Sequence, residues 1–268
     1  PSFISGIVSY HVAHHMGLRY MSFTLSCLPG VFDTRSYLIY VLAGLFFGIV
    51  ALIHMETLFV TEKFFQRLRM NFVLKAILGS CALLLFASVL GRRYLGLGTD
   101  IIESALRGES VPYLDFLWKS IFTSITLSCG GSGGIVTPIF FIGATSGITF
   151  AGLFGQEPML FGPLGFVAVL AACANTPIAA TIMAIELFGS KVAAIAAITC
   201  ITAFFVSGHR SVYPSQILAR PKSPVLKLEE QVSVEKATTR ADLLDLRMVS
   251  FFSHVIRLIR GFFRRYKG

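Results

Sequence analysis

Long apolar runs, separated by short polar or glycine-rich stretches, cover most of this 268-residue chain. The runs lie at about residues 3–18, 37–60, 72–90, 114–128, 135–155, 160–173, 177–188 and 192–207. A helix needs about 20 apolar residues to cross a membrane, so several runs are too short to span one. The pieces between residues 135 and 188 are therefore expected to be half-helices and re-entrant segments, sheltered from lipid by neighbouring protein. The pattern predicts an all-α, polytopic integral membrane protein with broken and re-entrant helices.

The composition supports a membrane protein. Hydrophobic residues make up 54% of the chain and charged residues 14%, against about 25% charged in soluble domains. The net charge is +9, but many of the basic residues lie beside apolar runs, at residues 63–75 and 257–267. This distribution argues against nucleic-acid binding, and the positive-inside rule predicts that both stretches, including the C-terminus, are cytoplasmic.

Three polar segments are expected to lie outside the membrane. Residues 221–240 mix proline, lysine, glutamate, serine and threonine without an apolar period, which is typical of a cytoplasmic linker. Residues 241–268 carry apolar positions at helical spacing with arginines between them, which predicts a basic amphipathic helix that binds anionic lipid or docks on a partner. Earlier in the chain, residues 100–113 are polar enough to be a surface excursion.

A glycine-rich stretch at residues 130–134 opens the run that begins at Ile135, Val136, Thr137 and Pro138. Glycines such as Gly134 leave backbone N–H groups accessible to a bound anion. Pro138 predicts a helix start, because proline is favoured in a first helical turn. The free N–H groups of that turn lie at the positive end of the helix and attract anions. The stretch therefore predicts an anion-binding site inside the membrane.

A second helix start within the apolar region is predicted at Pro177, with Asn175 or Thr176 as its cap. The charged residue of this helix is Glu186, near the helix end. A carboxylate in a membrane segment is a candidate for function. For Glu186, a hydrogen bond to a neighbouring loop is favoured over proton transfer.

Pairs of glycines four residues apart occur in two of the apolar runs. Gly44 and Gly48 lie in one, and Gly143 and Gly147 lie in the run that follows the glycine-rich stretch. This spacing lets another helix approach closely. We expect both pairs to serve helix packing.

The sequence indicates neither a metal site nor an enzyme. His11, His14 and His15 share a helical face, but no carboxylate or cysteine joins them, so packing is favoured over metal binding. The five cysteines are widely spaced and form no CxxC pair. The glycine-rich stretch does not end in the Gly-Lys-Ser/Thr of a phosphate-binding loop, and no nucleophile elbow occurs. We expect no enzymatic activity and no cofactor.

Three segments together resemble the CLC family of chloride channels and chloride/proton antiporters. Residues 134–138 resemble the family's GxFxP signature, with Val136 in the phenylalanine position. Residues 171–188 resemble the paired helices that follow the signature, and residues 213–220 resemble the family's final membrane helix. The agreement in order and spacing covers about residues 1–220, which corresponds to the second half of the family's inverted-repeat architecture.

The resemblance implies transmembrane chloride transport, as a voltage-gated-type channel or as a chloride/proton antiporter, with the chloride ion as substrate. The backbone N–H groups of Ile135, Val136 and Thr137 would bind the anion beside Gly134, and the Tyr213 hydroxyl would donate to the central ion. Members of the family are homodimers in the membrane, and each subunit has its own anion pathway. Such an assembly is therefore expected of this protein.

Departures from the family pattern leave alternatives open. The GSGIP and GxEGP motifs of the first repeat, which carry a central serine and a gating glutamate, are not found, so we expect a fragment or a chain that needs a partner half. Without these residues, the sequence supports a channel and an antiporter equally. A fluoride-selective transporter is one alternative: Val136 and Thr137 resemble such members, although Ile135 stands where they tend to carry a carboxylate. A non-conducting half-protein that serves as an assembly module is the other.

Overall fold

The computed structural model describes residues 2–17, 34–208, 210–213, 215–218 and 232–233. Its helices in these ranges are α1 (Ser2–His15), α2 (Thr34–Arg67), α3 (Phe72–Leu90), α4 (Thr99–Leu106), α5 (Asp115–Ser128), α6 (Val136–Phe154), α7 (Pro158–Ala174), α8 (Pro177–Phe188) and α9 (Ala193–Val206). Short 3-10 turns lie at Arg92–Tyr94 and Ser190–Val192. The chain divides into two compact units, residues 1–206 and 207–268. The predicted all-α architecture is confirmed, apart from one two-residue β-ladder in the second unit.

Each predicted apolar run coincides with one of these helices, because a backbone in apolar surroundings must satisfy its hydrogen bonds within the segment. Glycine, asparagine and proline set the breaks between α6, α7 and α8. Gly155 and Asn175 end α6 and α7 in the left-handed conformation. Pro158 and Pro177 then begin α7 and α8, where their missing N–H group leaves no hydrogen bond unmade.

Three helices in the described part of the chain are long and apolar enough to cross a membrane: Tyr37–Arg67 within α2, α3 and α6. α6 has 19 residues and is long enough to cross a membrane. The expectation of a half-helix at residues 135–155 is therefore wrong. α7 and α8, with 17 and 12 residues, are the short helices that the pattern predicted. The apolar window of α6 is 72% buried, against 11% for α3. α6 is therefore an interior helix, whereas α3 lies at the surface of the unit.

α6 and α7 form the centre of the first unit and approach each other across glycines. A Cβ added to Gly143 would lie 2.5 Å from the backbone oxygen of Gly165. One added to Gly147 would overlap the carbonyl of Phe161. Small residues are what lets two helix backbones come this close. The predicted packing role of Gly143 and Gly147 is confirmed.

α2 packs on α9 by the same device. A Cβ added to Gly44 would lie 2.6 Å from the Cβ of Thr202, and one added to Gly48 would lie 2.5 Å from the Cβ of Val206. Both glycines therefore face α9 one turn apart. The packing role predicted for this pair is also confirmed.

The surface excursion predicted at residues 100–113 is wrong for its first half, which folds as α4. The buried residues of α4 are Ile101, Ile102, Ala105 and Leu106. Their spacing places them on one side of a helix, so the polar residues between them stay outside. A Cβ added to Gly162 of α7 would lie 2.5 Å from the Ala105 carbonyl oxygen. α4 therefore packs directly on α7.

The second unit corrects one implication of the family resemblance. Ile217–Leu218 (β1) pairs antiparallel with Val232–Ser233 (β2). A strand at residues 217–218 contradicts the helix expected over residues 213–220. β2 falls within the predicted linker, and the predicted basic helix at residues 241–268 lies outside the described residues. The linker and tail boundaries stay predictions.

Candidate functional site

The glycine-rich stretch joins the end of α5 to the start of α6, and its first two residues make the turn. Gly130 has φ +94°, a conformation that favours glycine. The N–H of Gly131 donates to the carbonyl of Thr126 at 2.9 Å. The chain is thus folded back on the last turn of α5 before it continues to α6. We call residues 130–135 the glycine loop.

The base of the glycine loop is held by α3. A Cβ added to Gly130 would overlap the ring of Phe72, the first residue of α3. A Cβ added to Gly79 would lie 2.6 Å from the Sγ of Cys129, which caps the end of α5. Both glycines therefore allow α3 to lie directly against the loop's entry.

The backbone N–H groups at the start of α6 point out of the helix end and have no partner among the described residues. α6 begins at Val136, with Ile135 in the capping position and no side-chain cap. The N–H groups of Gly134, Ile135, Val136 and Thr137 donate to no group in the described part of the chain. Pro138, the third helical residue, has no N–H to satisfy. The first turn of α6 thus has the open positive end that the sequence predicted.

The glycine loop is also open in space. Gly131 and Gly134 are exposed, Ile135 and Thr137 are half-buried, and Val136 is 37% exposed. A Cβ added to Gly134 would meet no atom within 4 Å. The free N–H groups are therefore accessible from outside this chain, and the described residues leave room beside them for an ion or for more protein.

The second predicted cluster forms a helix break, and Thr176, one of the two expected caps, holds the capping position of α8. Asn175 has φ 59° and ends α7, and its N–H bonds the carbonyl of Ala171. Thr176 occupies the capping position of α8 without a side-chain hydrogen bond. Pro177 is the first residue of α8, as predicted.

Glu186 lies near the end of α8 and is exposed. The described residues offer it no hydrogen bond or ion pair, so the bond to a neighbouring loop that the sequence favoured is not found there. A proton-linked role for Glu186 stays a prediction.

Tyr213 belongs to the second unit and precedes the β-ladder. Its N–H donates to the Ser211 hydroxyl at 3.2 Å, and its side chain is 39% exposed. An exposed phenol is free to donate a hydrogen bond to a ligand. Its pairing with the glycine loop around one anion stays a prediction.

Sequence reasoning missed a buried cluster of charged residues between α5 and the turn at Arg92–Tyr94. Asp115 is fully buried and accepts a hydrogen bond from the Tyr94 hydroxyl at 2.7 Å. Arg93 forms an ion pair with the same carboxylate at 2.7 Å. Burial, and then the bond to Asp115, raise the pKa of Tyr94. The signal that could have revealed the cluster is an acidic and a basic residue one turn apart in an otherwise apolar run.

Lys119 is the basic member of that pair and is 1% exposed. Its Nζ donates to the carbonyls of Tyr94 at 3.1 Å and Gly96 at 2.7 Å. It also lies 5.0 Å from the centre of the Phe141 ring on α6, within the range of a cation–π contact. Lys119 therefore connects α5 both to the turn before α4 and to the helix that carries the free N–H groups.

A second overlooked polar contact joins α2 to α5. His54 Nδ1 lies 2.8 Å from the Ser120 hydroxyl. Both side chains are buried. The histidines that the sequence singled out do not resemble this one: His11 and His15 are exposed on α1, and the His14 side chain lies outside the described residues. Within those residues, no group of three or more metal-binding side chains occurs.

These features define a helical membrane protein with short apolar helices, in which a glycine loop leads directly into an open helix start. The family model for the voltage gated chloride channel matches residues 1–208. The chain belongs to this family, the CLC family, whose members are transporters and channels.

Similarity to individual proteins supports membership in this family. A chloride/fluoride channel protein from Pseudomonas syringae pv. tomato is 33% identical over 229 residues, which cover 83% of this chain and 50% of the relative. The crystal structure of a CLC-type fluoride/proton antiporter superposes with a TM-score of 0.69 at 32% identity, covering 75% of this chain and 51% of that one. A slow cyanobacterial Cl⁻/H⁺ antiporter, at 21% identity, TM-score 0.56 and coverage of 71% and 48%, shares the fold. The chain thus spans about half the length of these proteins.

Proposed function

We propose that the protein moves a small halide ion across a membrane, and that the N–H groups of Gly134, Ile135, Val136 and Thr137 form part of its anion site. The observation that carries the proposal is the set of N–H groups at the start of α6 that are unbonded within the described ranges. Such an end combines free donors with the positive pole of the helix dipole. An anion is the ligand that this arrangement favours.

Neutral donors suit transport better than a fixed cation would. Backbone N–H groups hold an anion without a full opposing charge, so the ion is bound and can also leave. α6 carries no charged side chain. Lys119 is held by two carbonyls and the Phe141 ring. The site would therefore work through dipoles, with the Tyr213 hydroxyl as a further donor.

Fluoride is the second candidate substrate, alongside chloride. Two similar proteins at 32% and 33% identity carry fluoride in their names. Val136 and Thr137 in the signature also favour it. The Ile135 side chain is apolar, so in either case binding would depend on the backbone at that position. Coupling to protons is proposed on the same grounds, because the similar solved structures are proton antiporters by name.

Anion efflux from liposomes tests the proposal. The full-length gene product is reconstituted in vesicles loaded with chloride or with fluoride, and efflux is read with ion-selective electrodes. Efflux above that of empty vesicles supports halide transport, and the ratio of the two rates gives the preferred ion. No efflux of either ion refutes the function.

The same assay on the 268-residue chain alone decides the remaining alternative. If a longer chain from the same gene transports and this chain does not, transport belongs only to the longer protein. We also propose a homodimer, from the family resemblance. The basic tail leads us to propose a cytoplasmic C-terminus. Light scattering of the detergent-solubilised protein tests the first, and protease access to the tail in oriented vesicles tests the second.

A further inference from the structure

An ionisable side chain lies buried near the middle of a candidate membrane span. His54 is on α2, within the stretch Tyr37–Arg67, and is 1% exposed. Its Nδ1 contacts the Ser120 hydroxyl, and its Nε2 is buried with no hydrogen-bond partner among the described residues. A buried ring nitrogen without a partner destabilises the fold, whereas an apolar side chain in the same place would not. Such a residue in a membrane segment is a candidate for function.

Three serines on α5 extend from His54 toward the glycine loop. Ser120, Ser124 and Ser128 follow each other at intervals of four residues, which places them on one face of the helix. Ser120 and Ser124 are buried, and the Ser124 hydroxyl donates to the Ser120 carbonyl at 2.8 Å. The Oγ of Ser128 is buried and has no partner in the described ranges. α5 ends at Ser128, so the row of hydroxyls ends beside the glycine loop.

We propose that His54 binds and releases the proton of coupled anion transport, and that the hydroxyls of Ser120, Ser124 and Ser128 conduct that proton between His54 and the glycine loop. The proposal rests on the proposed halide transport. Successive serines are about 6 Å apart along the helix axis, which is longer than a hydrogen bond. One water in each gap completes the path.

The proton is accounted for at each step. His54 takes a proton at Nε2 while the hydrogen on Nδ1 passes to the Ser120 oxygen, and the hydroxyl hydrogen of Ser120 passes to the next water. The ring is then neutral, with its hydrogen on Nε2. A turn of the ring, or the same transfers in the opposite direction, restores the first tautomer. Water supplies the proton to Nε2 and carries it onward from Ser120, and no further reactant is needed.

The helices packed against α2 offer few competing groups. They are α5, α6, α7 and α9. α6 has no ionisable side chain, and α7 and α9 have one each, Cys173 and Cys200, both of which are buried. On α5, Asp115 and Lys119 are bonded to the turn at Arg92–Tyr94. None of these groups replaces an imidazole, which can accept a proton on one ring nitrogen and donate one from the other.

α2 itself carries ionisable residues on either side of His54. They are Arg35, Tyr37, Tyr40, Glu56, Glu62, Lys63 and Arg67. Glu56 is nearest in sequence, but two residues along a helix is about 200°, so it lies on the opposite side, and it has an interaction of its own. The side of α2 that faces Ser120 therefore presents His54 as its proton carrier.

The test measures halide efflux and proton uptake on the same vesicles with the full-length protein. His54→Gln keeps a polar group opposite Ser120 but cannot carry a proton. We expect halide efflux to continue while the number of protons moved per anion falls about tenfold or more. Ser124→Ala should lower the same ratio, because it removes the middle hydroxyl. The matched controls are His15→Gln, an exposed histidine of α1, and Ser88→Ala, an exposed serine of α3, and both should keep the wild-type ratio.

The outcomes separate this proposal from the function on which it rests. An unchanged ratio in His54→Gln overturns it, as does wild-type efflux that moves no protons. Absence of halide efflux from the wild type refutes the proposed function itself. If His54→Gln does not fold, Ser124→Ala decides, and a wild-type ratio in that variant overturns the path.

Discussion

Asp115 and Lys119, one turn apart on α5, hold opposite ends of Tyr94. The Asp115 carboxylate accepts a hydrogen bond from the Tyr94 hydroxyl, and the Lys119 ammonium donates to the Tyr94 carbonyl. Arg93 adds an ion pair to the carboxylate. A buried charge is tolerated when it is paired and hydrogen-bonded, and the turn supplies those partners. Because α5 leads into the glycine loop, this clamp ties the loop's first helix to the connection between α3 and α4.

Lys119→Met tests the clamp through stability. The side chain stays long and unbranched, but the carbonyls of Tyr94 and Gly96 lose a buried donor. We expect the free energy of unfolding to fall by about 1–3 kcal/mol, measured by thermal unfolding of the detergent-solubilised protein. Lys63→Met, at an exposed position of α2, is the matched control and should change stability by less than about 0.5 kcal/mol. Equal effects of the two variants would contradict the clamp.

Tyr94 predicts a dependence of stability on alkaline pH. Burial and the bond to Asp115 raise its pKa above the ordinary value, so the folded state holds the phenol proton more tightly than the unfolded chain. This contribution to stability is complete below about pH 10 and is lost as the pH rises above it. Unfolding curves from about pH 8 to about pH 11 should fall more steeply for the wild type than for Tyr94→Phe. Parallel curves would show that Tyr94 does not titrate in this way.

Gly147→Ala tests the contact between α6 and α7. The added methyl group would overlap the Phe161 carbonyl, and overpacking of this kind costs about 1–3 kcal/mol or more. We expect a lower unfolding temperature and less folded protein in detergent. Gly133→Ala is the control, because a Cβ there meets nothing within 4 Å. The packing account fails if the two alanine variants unfold at the same temperature.

Gly134→Val separates folding from transport. The described residues leave open space at this position, so the amount of folded protein should equal that of the wild type. A branched side chain beside the N–H groups would crowd a bound ion, and we expect halide efflux to fall about tenfold, which corresponds to about 1.4 kcal/mol. Size-exclusion profiles and liposome efflux measure the two effects. Normal efflux would exclude the start of α6 as the anion site.

Tyr213→Phe tests the proposed second donor. Loss of one hydroxyl hydrogen bond to an anion should weaken halide binding by about 1.5–3 kcal/mol, or roughly ten- to hundredfold. Isothermal titration calorimetry with chloride and with fluoride measures the change. Tyr113→Phe, at another exposed tyrosine, serves as the comparison. Unchanged halide affinity would remove Tyr213 from the site.

The arrangement of apolar residues was enough to predict most helices and one half of the candidate site. Runs of apolar residues must bond their backbone internally in lipid or in a protein interior, so their ends at Gly155, Pro158 and Pro177 are local properties. The open start of α6 is equally local, since it follows from Pro138 and the glycines before it. The glycine pairs in α2 and α6 indicated close packing, although not the identity of the helix on the other side.

Contacts between distant residues could not be predicted in this way. His54 and Ser120 are 66 positions apart, and neither shows in its own surroundings that the other will be its partner. α4 was misjudged because Asp100 and Glu103 make this short helix look polar, while its burial depends on α7. The length of α6 suits a membrane crossing, yet its burial is decided by the helices around it.

The sequence by itself determined the membrane class of this protein, the positions of most helices and the free N–H groups before α6, because each depends on residues adjacent in the chain. Tertiary structure alone decided which polar side chains are buried and with whom. Asp115 and Lys119 need the turn at Arg92–Tyr94, and His54 needs Ser120. A buried polar group is stable only with a partner, and that partner is supplied by folding rather than by sequence neighbours.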